Sequence, residues 1–146
     1  MALKIFRAVW FLSVLSVLAN LLYIYATLPG QVIIQEDGAT QISVDREIMF
    51  YSVVIVLALV NVLVYVISKF FPRDEDFRAW FHGLILTINI FFIVGISLVG
   101  LYNSTEKFDY SRIGFVVYGS LGLILVWAVS WPIYRVVRGL SVKQSV

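Results

Sequence analysis

Cysteine is absent from the 146-residue chain. That excludes disulfides, thiolate nucleophiles, iron–sulfur clusters and cysteine zinc sites. Histidine occurs once, at His82, whereas a haem or metal centre needs several matching ligands. No metal and no cofactor is expected. Charge is scarce as well: 14% of residues are Asp, Glu, Lys or Arg, against about 25% in an ordinary soluble domain. The formal net charge is only +2 and no basic stripe exists, so no nucleic-acid partner is expected despite a pI near 9.0.

Apolar residues take the vacated share. They make up 61% of the chain, with a mean hydropathy of +0.94, which excludes a soluble enzyme and an intrinsically disordered chain. The few charges divide the sequence into four uncharged windows, between Arg7 and Glu36, Glu47 and Lys69, Arg78 and Glu106, and Arg112 and Arg135, of 28, 21, 27 and 22 residues. Crossing a hydrocarbon core of roughly 30 Å takes about 20 apolar residues in a helix. The windows predict four transmembrane helices, at about 5–28, 48–71, 79–102 and 112–137, in a single all-α membrane domain spanning 1–146. The first apolar stretch runs from Ala8 past Leu28, too long for a signal-peptide core, and is expected to be retained as a span.

Orientation follows from basic residues. With the N-terminus inside, the inner flanks hold Lys4, Arg7, Lys69, Arg73, Arg78, Arg135, Arg138 and Lys143, and the outer flanks only Arg46, Lys107 and Arg112. This bias predicts both termini on the cytoplasmic side of a plasma (inner) membrane. Trp10, Trp80, Trp127 and Trp131 then fall in the inner half, while Tyr23, Tyr25, Tyr51, Tyr102 and Tyr110 mark the outer one. Short links predict an up-down-up-down bundle.

The longest connection, Pro29–Glu47, holds two β-branched runs around Asp37-Gly38. That pair predicts an outer β-hairpin centred on Asp37 and Gly38, both with positive φ. Asp45, or Ser43 before it, is placed to cap the second helix. A lone hairpin is marginal in water, so Val32, Ile34, Ile42 and Val44 need a surface: their own helices, lipid headgroups, a partner protein, or a ligand beneath a lid.

No Asp, Glu, Lys or Arg falls inside any window, which weighs against a proton-coupled pump or transporter. The polar residues within are neutral. Asn61 and Asn89 each lie about 13 residues from the outer ends of their helices, hence at one depth, with Asn20 nearer the outside. These amides are expected to face inward as interhelical hydrogen bonds, or with Thr87 to line a polar pocket. Gly95, Gly100, Gly119 and Gly122 permit close helix approach. For Gly119 and Gly122, which share a face with Phe115 and Val126, packing of the third helix on the fourth is expected ahead of a dimer seam. Pro132 is expected to kink the fourth helix. His82 is read as an interfacial ring beside tryptophan. Asp74 or Asp76 is placed to cap the third helix, the basic tail from Arg135 to Lys143 suits anionic headgroups, and Asn103-Ser104-Thr105 matches a glycosylation sequon.

From Leu28 to Lys69, the residues Leu28-Pro29, Val32, Gly38, Arg46-Glu47, Phe50-Tyr51 and Asn61 make up a segment that resembles a domain of unknown function in small bacterial four-helix membrane proteins, including relatives of the Sdp-type toxin-immunity proteins. The chain departs from that pattern at Ile33 and Gln35, where the family usually has a proline and a histidine. The resemblance implies an immunity or signalling role and no catalytic residue.

Three functions follow. The first is a non-catalytic membrane protein, an accessory or assembly subunit or a small homo-oligomer, acting through helix and loop contacts. The second is an immunity or signalling protein recognising a partner through the outer loop. The third is a lipid, quinone or small-molecule binding protein using Asn61, Asn89 and Thr87. No reactive constellation points to an enzyme. The expected partners are the lipid bilayer and either other membrane subunits or further copies of the chain.

Overall fold

The computed structural model describes residues 1–105 and 113–143. It contains four long helices and one hairpin: α1 (Ala2–Thr27), β1 (Gln31–Asp37), β2 (Thr40–Asp45), α2 (Arg46–Phe70), α3 (Glu75–Tyr102) and α4 (Ile113–Lys143). All four helices are long and apolar enough to cross a membrane. The expectations for Lys107, Tyr110 and Arg112 fall outside the described residues.

α2 and α3 start two and four residues before the expected 48 and 79, because the first-turn carboxylates Glu47, Glu75 and Asp76 favour a helix N-terminus instead of ending it. α1 starts three residues before the expected 5, and α4 one residue after the expected 112. α3 begins at Glu75, capped by Asp74 Oδ1, which accepts from Phe77 N at 2.9 Å. α2 is capped by Asp45, whose Oδ1 accepts from Glu47 N at 2.8 Å. α4 continues through Pro132 to Lys143.

Successive helices alternate in direction. Trp10 on α1 meets Tyr65 near the end of α2 and His82 near the start of α3, and Trp80 on α3 meets Trp131 late in α4. The packing is not that of a square bundle. α3 is the hub, with α1 as its principal partner; α1 and α2 touch little, and α4 rests chiefly on α3. Parallel α1 and α3 come close where Gly100 faces Ile24, since a Cβ there would stand 2.7 Å from Ile24 Cδ1. The core has two apolar layers. One, at the hairpin end, is built on Val17, Leu21, Ile24, Leu28, Val32, Leu57 and Ile96. The other gathers Trp10, Val64 and Ile85.

α4 turns one stripe to α3. Ile113, Val117, Ser120, Ile124, Trp127 and Trp131, spaced alternately by four and three, are buried or half-buried, while Phe115, Tyr118, Leu125 and Val126 are exposed. Gly119 and Gly122 lie off that stripe, and a Cβ at either would meet nothing within 4 Å. The expected seating of these glycines against α3 is therefore overturned, and Gly95 is equally open. The close approach belongs to Gly83, where a Cβ would collide with the Trp127 indole. The two indoles lock this contact: Trp80 Nε1 donates to Trp127 O and Trp127 Nε1 to Trp80 O, each at 2.9 Å.

Candidate functional site

Between the two apolar layers lies a polar one, drawn from three helices. Asn61 Nδ2 donates to Asn89 Oδ1, and Asn89 Nδ2 to Asn61 Oδ1, each at 3.0 Å. Asn61 Oδ1 also accepts from Trp10 Nε1 at 2.9 Å, and Asn61 Nδ2 donates to Leu57 O at 2.9 Å. Asn89, fully buried, donates to Ser13 Oγ at 2.9 Å, and Ser13 in turn donates to Trp10 O at 2.6 Å. The equal depth of Asn61 and Asn89 read from the sequence is thus a direct contact. A buried carboxamide costs free energy unless its donors and acceptor are paired; here both amides are.

Nearer the hairpin, Asn20 Nδ2 donates to Ile93 O and Asn20 Oδ1 accepts from Ser97 Oγ, each at 3.3 Å, tying α1 to α3 again. Thr87 stands apart. Its hydroxyl donates to Leu84 O of its own helix at 2.7 Å, so the expected grouping of Thr87 with Asn61 and Asn89 is not formed. His82 is buried against Trp10, ring centroids 5.7 Å apart and perpendicular, and its Nδ1 lies 2.6 Å from Arg78 O. Trp10, Ser13 and Ser97 escaped the sequence reading; their signal was a polar atom at the depth of Asn61, Asn89 or Asn20.

The second candidate surface is the hairpin. Its turn residues are Gly38 and Ala39, with Asp37 paired to Thr40. Gly38 alone has positive φ, 60°. The expected Asp37–Gly38 centre is corrected by one residue, to the arrangement with glycine first that two-residue turns of the II′ kind require. β1 also carries a bulge: Ile33 pairs with Ser43 but Gln35 with Ile42, leaving Ile34 unpaired.

The hairpin is anchored at its base and touched only lightly beyond it, where the Tyr102 hydroxyl of α3 donates to Glu36 Oε2 at 3.3 Å. Val32 is fully buried and Val44 half-buried. Asn103, at the end of α3, behaves as a third strand: its Oδ1 accepts from Ile33 N at 2.7 Å and its Nδ2 donates to Ile33 O at 3.0 Å. The same Nδ2 also donates to Val99 O, so the sequon asparagine has its amide engaged in the fold. Arg46 reinforces the base, donating to Leu28 O at 3.1 Å with its guanidinium over the Tyr25 ring, 4.8 Å from the centroid. Ile34 and Ile42 are left 52% and 47% exposed. Ile34 also lines, with Ile33, Leu98, Val99, Tyr102 and Ile113, an apolar cavity of about 310 Å³.

No family model matches the chain, and no curated protein or solved structure is significantly similar to it.

Proposed function

We propose that the chain is a multi-pass protein of a plasma membrane, both termini cytoplasmic, that performs no catalysis and works as an accessory subunit or small homo-oligomer through its hairpin and helix faces. The single observation that carries this reading is the exposure of Ile34 and Ile42 on a hairpin whose base is clamped by Val32 and Asn103. Apolar side chains held in fixed positions outside the spans suit a partner better than water. The mid-helix polar groups support the same reading, because Asn61 and Asn89 are satisfied within the fold and present no open donor or acceptor for a lipid or quinone. A photo-crosslinking residue at position 34 or 42 is expected to capture a protein, either another subunit or a second copy. Crosslinks to lipid alone would overturn the proposal.

A second reading uses the same surface. If the sequence pattern of residues 28–69 reflects the immunity-protein relatives it resembles, the hairpin is the recognition element for a toxin or peptide. It predicts that I34S/I42S abolishes protection while membrane insertion is kept. Protection that survives the double substitution removes this reading.

A further inference from the structure

At the end of the molecule opposite the hairpin, three helices bring cations together around one aromatic contact. The Trp10 ring meets Tyr65 and His82 edge-on, with centroids 5.9 and 5.7 Å apart. One helical turn, about 5.4 Å, further toward that end stand Arg7 on α1, Lys69 on α2 and Arg78 on α3, each on the same face of its helix as its aromatic neighbour. Among the described residues none of the three pairs with a carboxylate. Two of the three acids at this end are engaged elsewhere: Asp74 caps α3, and Asp76 receives Arg138 and the Tyr134 hydroxyl on the α4 side, while Glu75 stays in the first turn of α3. Arg78 Nε is buried without a hydrogen-bond partner, a state that costs free energy unless something accepts from it. α1 also begins here with no acidic residue in its first turn, so its N-terminus adds positive potential, whereas that of α3 is offset by Asp74, Glu75 and Asp76.

We propose that Arg7, Lys69 and Arg78 form a binding site for the phosphate of an anionic phospholipid headgroup. The site rests on the membrane reading above. A phosphate offers several acceptor oxygens, enough to engage cations from three helices at once. It would join α1 and α2, which have little direct contact.

The test is native mass spectrometry of the full chain released from nanodiscs containing phosphatidylglycerol and phosphatidylcholine. R7Q/R78Q is compared with R135Q/R138Q, which removes equal charge from the α4 side of the same end. The wild type and R135Q/R138Q are expected to retain phosphatidylglycerol over phosphatidylcholine. R7Q/R78Q is expected to lose about thirtyfold in that preference, taking about fivefold per cation, and R7K/R78K to restore most of it. Equal loss in both glutamine pairs, or no preference in the wild type, would overturn the site. Displacement of the lipid by millimolar inorganic phosphate would overturn the lipid assignment in favour of a free-phosphate site. Unchanged tryptophan fluorescence of R7Q/R78Q checks its folding, with R7K/R78K deciding the matter if it changes. Extraction of the chain by alkaline carbonate would mark failure of the membrane reading itself, separately from that of the site.

Discussion

Asn61 on α2 and Asn89 on α3 exchange two hydrogen bonds, each side-chain nitrogen 3.0 Å from the other's oxygen. This pair, with Trp10 and Ser13, is the only place where three helices share polar contacts among the described residues. Hydrogen bonds between apolar helices contribute about 0.6–2 kcal/mol each. They also fix register, because sliding either helix by one turn would strand both amides in an apolar layer.

Asn61→Leu and Asn89→Leu are therefore expected to couple. Each single change leaves the opposite carboxamide short of partners, at a cost of about 1–3 kcal/mol, and the double change is expected to cost less than the sum by about 0.6–2 kcal/mol. Reversible unfolding in mixed micelles, run as a double-mutant cycle, measures the coupling. Strict additivity would show that the two amides act independently.

The Trp80–Trp127 lock predicts opposite behaviour for glycines that look alike in the sequence. Gly83→Ala places a methyl group against the Trp127 indole and is expected to destabilise by about 1–3 kcal/mol. Gly119→Ala and Gly122→Ala meet open space and are expected to be neutral or to stabilise α4 by up to about 1 kcal/mol. Thermal denaturation in detergent, followed by tryptophan emission, separates the two cases.

Asn103→Ala removes the acceptor for Ile33 N and the donor to Ile33 O. A net loss of about 1 kcal/mol in local stability corresponds to roughly fivefold faster hydrogen exchange at the Ile33 amide. The amides of α1 serve as the unchanged reference. No change at Ile33 would mean that Val32 burial alone holds the hairpin down.

Gly38 carries the one positive φ among the described residues. Gly38→Val is expected to destabilise the turn by about 1–2 kcal/mol, while Gly38→Asn is expected to cost less because asparagine tolerates the left-handed region. Exchange rates at Gln41 and Thr40, relative to the helices, report the difference.

Much of the architecture was legible because its signal is coarse. Four gaps between charges marked the four long apolar helices, and Asp45 and Asp74 stood where caps belong. Asn61 and Asn89 met because helical rise converts residue count into depth. The faces were harder. In a chain this apolar, residues on an exposed helix face and residues that face a neighbouring helix look alike, so Gly119 and Gly122 were placed on the inward side that Val117 and Ser120 in fact occupy. The turn lies one residue later because Gly38 takes the positive φ as the first of the two turn residues, and nothing in the β-branched runs announces the bulge at Ile34. Asn103 read as a loop sequon because its partner, the Ile33 backbone, lies 70 residues away.

The proposed contact surface at Ile34 and Ile42 carries the functional reading of this chain. Its most direct test is purification of the tagged chain in native nanodiscs, wild type beside I34S/I42S, with mass spectrometry of the intact particles. The wild type is expected to carry a stoichiometric protein component, either another subunit or a further copy, that is lost from I34S/I42S while the variant remains folded and membrane-bound. A wild-type chain recovered as a monomer, or a complex that survives both substitutions intact, would contradict it.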